Sequence, residues 1–369
     1  MAIAHTPQRA LSFLVMKIAR FAVALALCLS TASHLSAQAK KGALRIFAVD
    51  VEGGQATLFV APGGQSLLVD TGWTGFNYRD ADRIVAAAKD AGISRLDAVL
   101  LTHYHSDHVG GLSQLMERFP VQSLLIHGDK LASDDNPPSV YENLQKTIAG
   151  SSLKPVVVKA GERLPVAGFD ATAISSDGTV LPKPLVGAGK PNPLCATTPE
   201  PRQDTTENRQ SLGFVLRFAG LNIMDAGDLT ADRERTLVCP ANRIGKIDLL
   251  IVSHHGSDLS SSKVFIHSLQ PRVAVMDNGD RKGGSTSVID TIRTSPGLEA
   301  LYQLHLAPVA GARQPAGTVQ EGPEHNTPEE FIANTPGIDG KRVDITVNAN
   351  GTIDVTNGRT GAVKHFPRH

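Results

Sequence analysis

Leu96-Asp97-Ala98-Val99-Leu100-Leu101-Thr102-His103-Tyr104-His105-Ser106-Asp107-His108-Val109-Gly110-Gly111 joins a short apolar run to a cluster of imidazoles and a carboxylate. Residues 96–101 read as a strand buried on both faces, because the run is almost wholly apolar instead of alternating. Four side chains of metal-ligand type follow within six residues. In extended chain, residues two apart point to the same side, so His103 and His105 converge on one point. The chain then turns at Gly110-Gly111 into an amphipathic helix carrying Leu112, Leu115, Met116 and Phe119, and the turn lets Asp107 and His108 face a second point nearby. Imidazole nitrogen and carboxylate oxygen suit zinc or manganese. No thiolate stands in the cluster, so the pattern predicts an open, water-bearing site and not a structural zinc knot.

Outward from this stretch the chain alternates strand and helix signals. Residues 43–49, 56–61 and 66–69 read as strands, with a Pro62-Gly63-Gly64 turn and an Asp70-Thr71-Gly72 exit. Residues 80–91 read as a helix that stops at Gly92. The same beat recurs around 121–126, 247–252, 264–269 and 273–276. It breaks in two places, a proline-rich stretch at 178–210 and an irregular one at 307–340, which read as long loops because the strand pattern resumes at 212–218 and 221–224. A final hairpin is expected at 343–347 and 352–355. Two more strand ends carry polar clusters, Asp225-Ala226-Gly227-Asp228 and Ser253-His254-His255-Gly256-Ser257. Alone each is weak; in this order, behind the first cluster, they are informative.

The combination resembles the metallo-β-lactamase superfamily of hydrolases, whose His-x-His-x-Asp-His loop is matched by His103 to His108. The Ser253 to Ser257 segment is similar to the branch that includes the hydrolase domain of competence-type DNA-uptake proteins and a choline-phosphate esterase. The resemblance implies an α/β (α+β) fold, a four-layer αββα sandwich of two mixed β-sheets with helices outside, over one domain spanning 40–369. It also implies two divalent metal ions, zinc first and manganese second. His103 and His105 would hold one ion, Asp107 and His108 the other; Asp228 would bridge them and His255 would close the second site. Most relatives supply a further histidine to the first ion before the bridging aspartate, yet no histidine lies between His127 and His254. Asn208 is the nearest substitute by position. Which of His254 and His255 is the ligand stays open, because neighbours on a strand point oppositely and one of them should face the metal. Asp50 and Asp70, at the ends of flanking strands, are candidate acceptors that orient ligand imidazoles.

A water held between two cations loses its proton near pH 7, against about 15.7 in bulk. Asp107, Asn208 and His254 are the expected catalytic groups, His254 giving a proton or hydrogen bond to an oxygen of the substrate. Arg281-Lys282-Gly283-Gly284, just before an apparent helix, reads as an anion cradle of two cations and free amides. It tilts the expectation toward a phosphoester or phosphodiester over a lactone or β-lactam. A secreted metal-binding protein without activity is the alternative from another class.

Composition bounds the partners. With 36 basic and 36 acidic side chains and 41% hydrophobic residues, the chain has none of the basic excess that drives sequence-independent nucleic-acid binding, so a small-molecule or phosphoester substrate is expected. Arg9, Lys17 and Arg20, the apolar run 21–29 and Ala37-Gln38-Ala39 read as a signal peptide cleaved after Ala39, which implies a secreted or periplasmic protein with no membrane span left after cleavage. Cleavage leaves Cys195 and Cys239, an even pair for which a disulfide or two buried thiols are both open. Nothing in the sequence sets the oligomeric state.

Overall fold

Residues 42–132, 137–307 and 325–369 are described by a computed structural model. The expected signal peptide at 1–39 and the middle of the 307–340 loop lie outside the described residues. Strand after strand carries apolar side chains at consecutive positions, and the packing shows why. Phe59, Leu67, Val69, Ala98, Leu100, Phe214, Leu249, Ile251, Val273 and Val275 meet in one core between two sheets. Their immediate neighbours Leu58, Val60, Leu68 and Val99 face a second core under helices Arg79–Asp90 and Leu112–Met116. Leu250, Ala274 and Met276 face a third, under Ala231–Val238, Lys263–Leu269 and Thr286–Arg293. Alternate side chains of a strand leave opposite faces, so a strand covered on both sides must be apolar throughout. Three cores separate four layers, helix, sheet, sheet, helix.

Both sheets are mixed. The first has nine strands; at its centre Leu44–Ala48 pairs antiparallel with Thr57–Val60 and with Val343–Val347, Ile46 lying opposite Ile345. The C-terminal hairpin Val343–Val347 and Ile353–Asn357 thus extends this sheet, and a further strand, Val363–Phe366, forms its edge. Ser66–Val69, Ala98–Leu100 and Leu124–Ile126 run parallel. The second has eight strands, with Leu221–Asp225, Leu249–Ile251, Val273–Met276 and Ala300–His305 parallel. The polar clusters read from the sequence sit at the carboxyl ends of these parallel strands, where open α/β sheets present their binding crevice.

The proline-rich stretch 178–210 holds more structure than a loop. Lys190–Pro191 pairs with Ala241–Asn242, and short 3-10 turns form at Pro193–Ala196 and Glu207–Gln210. A disulfide joins Cys195 to Cys239 at the end of helix Ala231–Val238, where Arg235 also donates to the Cys195 carbonyl at 2.9 Å. No helix among the described residues is long and apolar enough to cross a membrane.

Candidate metal centre

After strand Ala98–Leu100 the chain bends at His103, is extended at His105 and then turns into the short helix Ser106–Val109. His103 and His105 lie edge to face, ring centres 4.7 Å apart, and His103 is 4.1 Å from the ring of His108. The carboxyl end of the neighbouring strand supplies Asp70, whose Oδ2 lies 2.7 Å from His108 Nδ1 and accepts from Thr102 Oγ1 at 2.7 Å. Its other oxygen accepts from the Thr102 amide at 2.8 Å. With Nδ1 directed at this buried carboxylate, His108 presents Nε2 to the crevice.

The second sheet brings the remaining groups. Asp107, His108, Asp228 and His255 are all buried, and each offers a donor atom within 4.8 Å of the others. His108 Nε2 is 3.2 Å from His255 Nε2, 3.3 Å from Asp107 Oδ2 and 3.3 Å from Asp228 Oδ2. His255 Nε2 stands 3.3 Å from Asp107 and 3.4 Å from Asp228 Oδ1. Four donors bonded tetrahedrally at about 2.0–2.1 Å to a common ion are roughly 3.3–3.4 Å apart, so the spacing among Asp107 Oδ2, His108 Nε2 and His255 Nε2 fits one small divalent cation, with an Asp228 oxygen within 4.8 Å of each as the further ligand. Further buried atoms with no hydrogen-bond partner, His103 Nε2 and Asp228 Oδ1, belong to the same cluster. Orphaned polar atoms of this kind are costly in a dry interior unless a cation satisfies them.

The two late histidines depart from the sequence expectation. Both reach Asp228: His254 Nε2 lies 3.4 Å from Oδ2, the oxygen that His103 Nε2 approaches at 3.9 Å, while His255 takes Oδ1. Neighbours on a strand would diverge, but the pair sits in the turn Ser253–Gly256 with left-handed backbone, φ 57° at His254 and 53° at His255, and the alternation rule does not apply there. Ser260 Oγ, 3.1 Å from His254 Nδ1, orients that ring, and the Asp277 carboxylate stands 3.5 Å from His255 Nδ1 as a charge contact without a hydrogen bond. Neither was singled out from sequence, although Asp277 lies just beyond strand Val273–Met276.

Charge follows this geometry. Burial pulls His108 down, yet Asp228 and Asp70 hold it up to about 10; burial likewise opposes Asp228 and Asp277 at His255, which stands at about 9. Burial would raise Asp228, but His108, His254 and His255 around it hold its carboxyl well below the usual range. Burial and the neighbouring His108 keep His103 well below an ordinary imidazole, and burial also lowers His254. Each carboxylate sits among imidazoles that a divalent ion would replace as counter-charge.

Other expected site residues are placed differently. Asn208 is buried beside the cluster, its Nδ2 3.4 Å from His254 Nε2, and its Oδ1 has no partner. His127 is buried; its Nε2 is 3.0 Å from Glu207 Oε1, and the Leu131 amide also binds that carboxylate, so His127 braces the turn that carries Asn208. Asp50 orients no ligand imidazole. It lies 2.7 Å from His305 Nε2 and accepts from Arg83 at 3.1 Å and the Gly340 amide at 2.7 Å, in a separate cluster with the half-buried Glu52. Part of the anion cradle expected at 281–284 is committed elsewhere. The amides of Gly284 and Ser285 donate to the carbonyls of His255 and Gly256, both at 2.9 Å, and Arg281 is 87% exposed. Those amides hold the histidine turn in place and are not free for a ligand. Lys282 alone of the cradle cations turns inward, its ammonium in contact with Asp107 Oδ2.

Residues 49–214 match the family described as the metallo-beta-lactamase superfamily. The chain is 26% identical over 188 residues to "ComE operon protein 3" of Bacillus subtilis, a match covering 51% of this chain and 20% of that protein. It is 30% identical over 118 residues to "Hydroxyacylglutathione hydrolase" of Klebsiella pneumoniae, covering 32% of this chain and 36% of the relative. The chain therefore spans about a fifth to a third of the length of these relatives. Among solved structures it is similar to MEM-A1, a subclass B3 metallo-beta-lactamase from a soil metagenome library, at 16% identity and a TM-score of 0.35, covering 64% of this chain and 77% of that one.

Proposed function

The chain carries a metallo-beta-lactamase superfamily domain, and from that premise we propose that it is an exported, two-metal hydrolase of phosphoesters, phosphodiesters first. The observation that carries the reading is the buried convergence of Asp107, His108, Asp228 and His255 at the spacing of ligands around one ion. These four would hold the second ion. His103 and His105, with Asp228 shared, would hold the first. His254 presents its nitrogen to the same Asp228 oxygen as His103 and so supplies the imidazole for which residues 128–253 contain no histidine. Zinc suits this donor set and manganese is second. The ions would contribute Lewis acidity and an ionised water near neutral pH.

The chain's own groups set the rest of the chemistry. Asp70 fixes the His108 ring so that Nε2 faces the crevice. Asn208 lies against His254 and has an unpartnered amide oxygen with which to position substrate or water. A phosphoester is favoured over an uncharged lactone because Lys282 brings a positive charge to the edge of the cluster. The disulfide and the apolar run 21–29 support export to an oxidising compartment.

The test is a substrate panel on purified protein loaded with zinc or manganese. An activated aryl phosphodiester should be hydrolysed, and Asp228→Ala should abolish turnover and lower metal content from two equivalents. Activity confined to lactones or lactams would overturn the substrate class; metal binding without turnover of any of the three would leave a binding protein.

A further inference from the structure

Lys282 stands where a cation is already expected. Its backbone is pinned, the carbonyl accepting from the Gly279 amide at 2.8 Å, and its Cβ would lie 3.0 Å from any side chain placed at Gly53. From that anchor the side chain crosses the mouth of the crevice. Its ammonium contacts Asp107 Oδ2, the same oxygen that lies 3.3 Å from both His108 Nε2 and His255 Nε2, and it rides 5.2 Å over the ring of Trp73. One third of the Lys282 side chain remains exposed, whereas the Asp107 side chain is 7% exposed, so the lysine approaches the cluster from its more solvent-accessible side.

An ammonium and a divalent ion cannot share one carboxylate oxygen without strong repulsion at this separation in a partly dry site. The geometry points to a lysine that changes partners: Lys282 neutralises Asp107 in the metal-free site, and with that carboxylate engaged by an ion instead, the lysine ammonium would serve as the anchor for an anionic phosphoryl oxygen. An anionic oxygen is the acceptor that two positive groups favour most strongly, because it neutralises both at once. Trp73 gives the long aliphatic stem and the charge an aromatic surface to rest on in either position. This assignment rests on the phosphoester reading for its choice of anion, but its two consequences are measurable without turnover.

Trp73 is the only tryptophan of the chain and lies at the lysine, so its fluorescence reports the site directly. Zinc-loaded protein titrated with inorganic phosphate should show a saturable change in Trp73 emission. Lys282→Met should weaken that phosphate binding about ten- to a hundredfold, as expected for a lost charge-assisted hydrogen bond, and Lys282→Arg should restore most of it. Starting from metal-free protein, Lys282→Met should bind zinc several-fold tighter in chelator competition, because a competing cation has gone. Unchanged phosphate affinity in Lys282→Met, or weaker zinc binding, would overturn the proposal. If phosphate binding depends on Lys282 while only lactones are hydrolysed, the anion anchor stands and the phosphoester reading falls. If phosphodiesters are hydrolysed with the same KM and phosphate affinity in Lys282→Met, the reading stands and the anchor falls.

Discussion

Asp70 shows how a single buried carboxylate sets a metal ligand. It engages Thr102 through both amide and hydroxyl and lies 2.7 Å from His108 Nδ1, so the imidazole has one orientation and one nitrogen left for an ion. Asp70→Ala should therefore lower zinc affinity about 10–100-fold, read by competition with a chelator, while the fold persists. The residue-level chemistry of the first loop was legible because its spacing within an extended segment fixes which side chains share a face. The late pair was not: its geometry depends on left-handed backbone at His254 and His255, which no alternation rule describes. Glu207 was also hidden, since it meets His127 from a distant part of the chain, and Ser260 and Asp277 were hidden because they reach the late pair only through that same turn.

At the level of elements, the turn Ser253–Gly256 is held by the segment that follows strand Val273–Met276. Gly283 passes so close that an added Cβ would lie 2.0 Å from the His255 carbonyl, and its φ is +75°. Gly283→Ala should cost roughly 1–3 kcal/mol from overpacking alone and should also lower bound metal by shifting His255. Gly297→Ala provides the comparison. Its φ is +84° with nothing within 4 Å of the added carbon, so it carries backbone strain without a clash and should leave metal content unchanged in elemental analysis. The expected anion cradle is curtailed at this same scale: glycines followed by a helix suggest free amides, but those of Gly284 and Ser285 are committed to the histidine turn.

For the whole molecule, the covalent link between Cys195 and Cys239 closes 44 residues of chain and ties the proline-rich segment to the second sheet's helices. In the chain-entropy account its removal by Cys195→Ser with Cys239→Ser should cost about 4 kcal/mol, seen as a lowered denaturation midpoint. A pH effect of global stability is expected from Glu234. Burial lifts its carboxyl to about 8, against the amides of Ser261 and Ser262 that favour the charged form; in the unfolded chain it titrates near about 4.3. A raised folded value means that its contribution is complete below about 4.3 and is lost as pH rises through about 8. Stability should thus decline toward alkaline pH, and Glu234→Gln should flatten that decline in denaturant titrations across the range.

Apolar periodicity and local spacing determined the strands, the helices over them and the first ligand cluster, because burial on two faces and side-chain direction are written into neighbouring residues. The meeting of Asp107 and His108 with Asp228 and His255 across two sheets was decided only in three dimensions, as were the turning of Lys282 onto Asp107 and the diversion of Asp50 to His305. Each of these brings together groups more than a hundred positions apart, and strand order and crossover path, not sequence distance, decide which strand ends become neighbours.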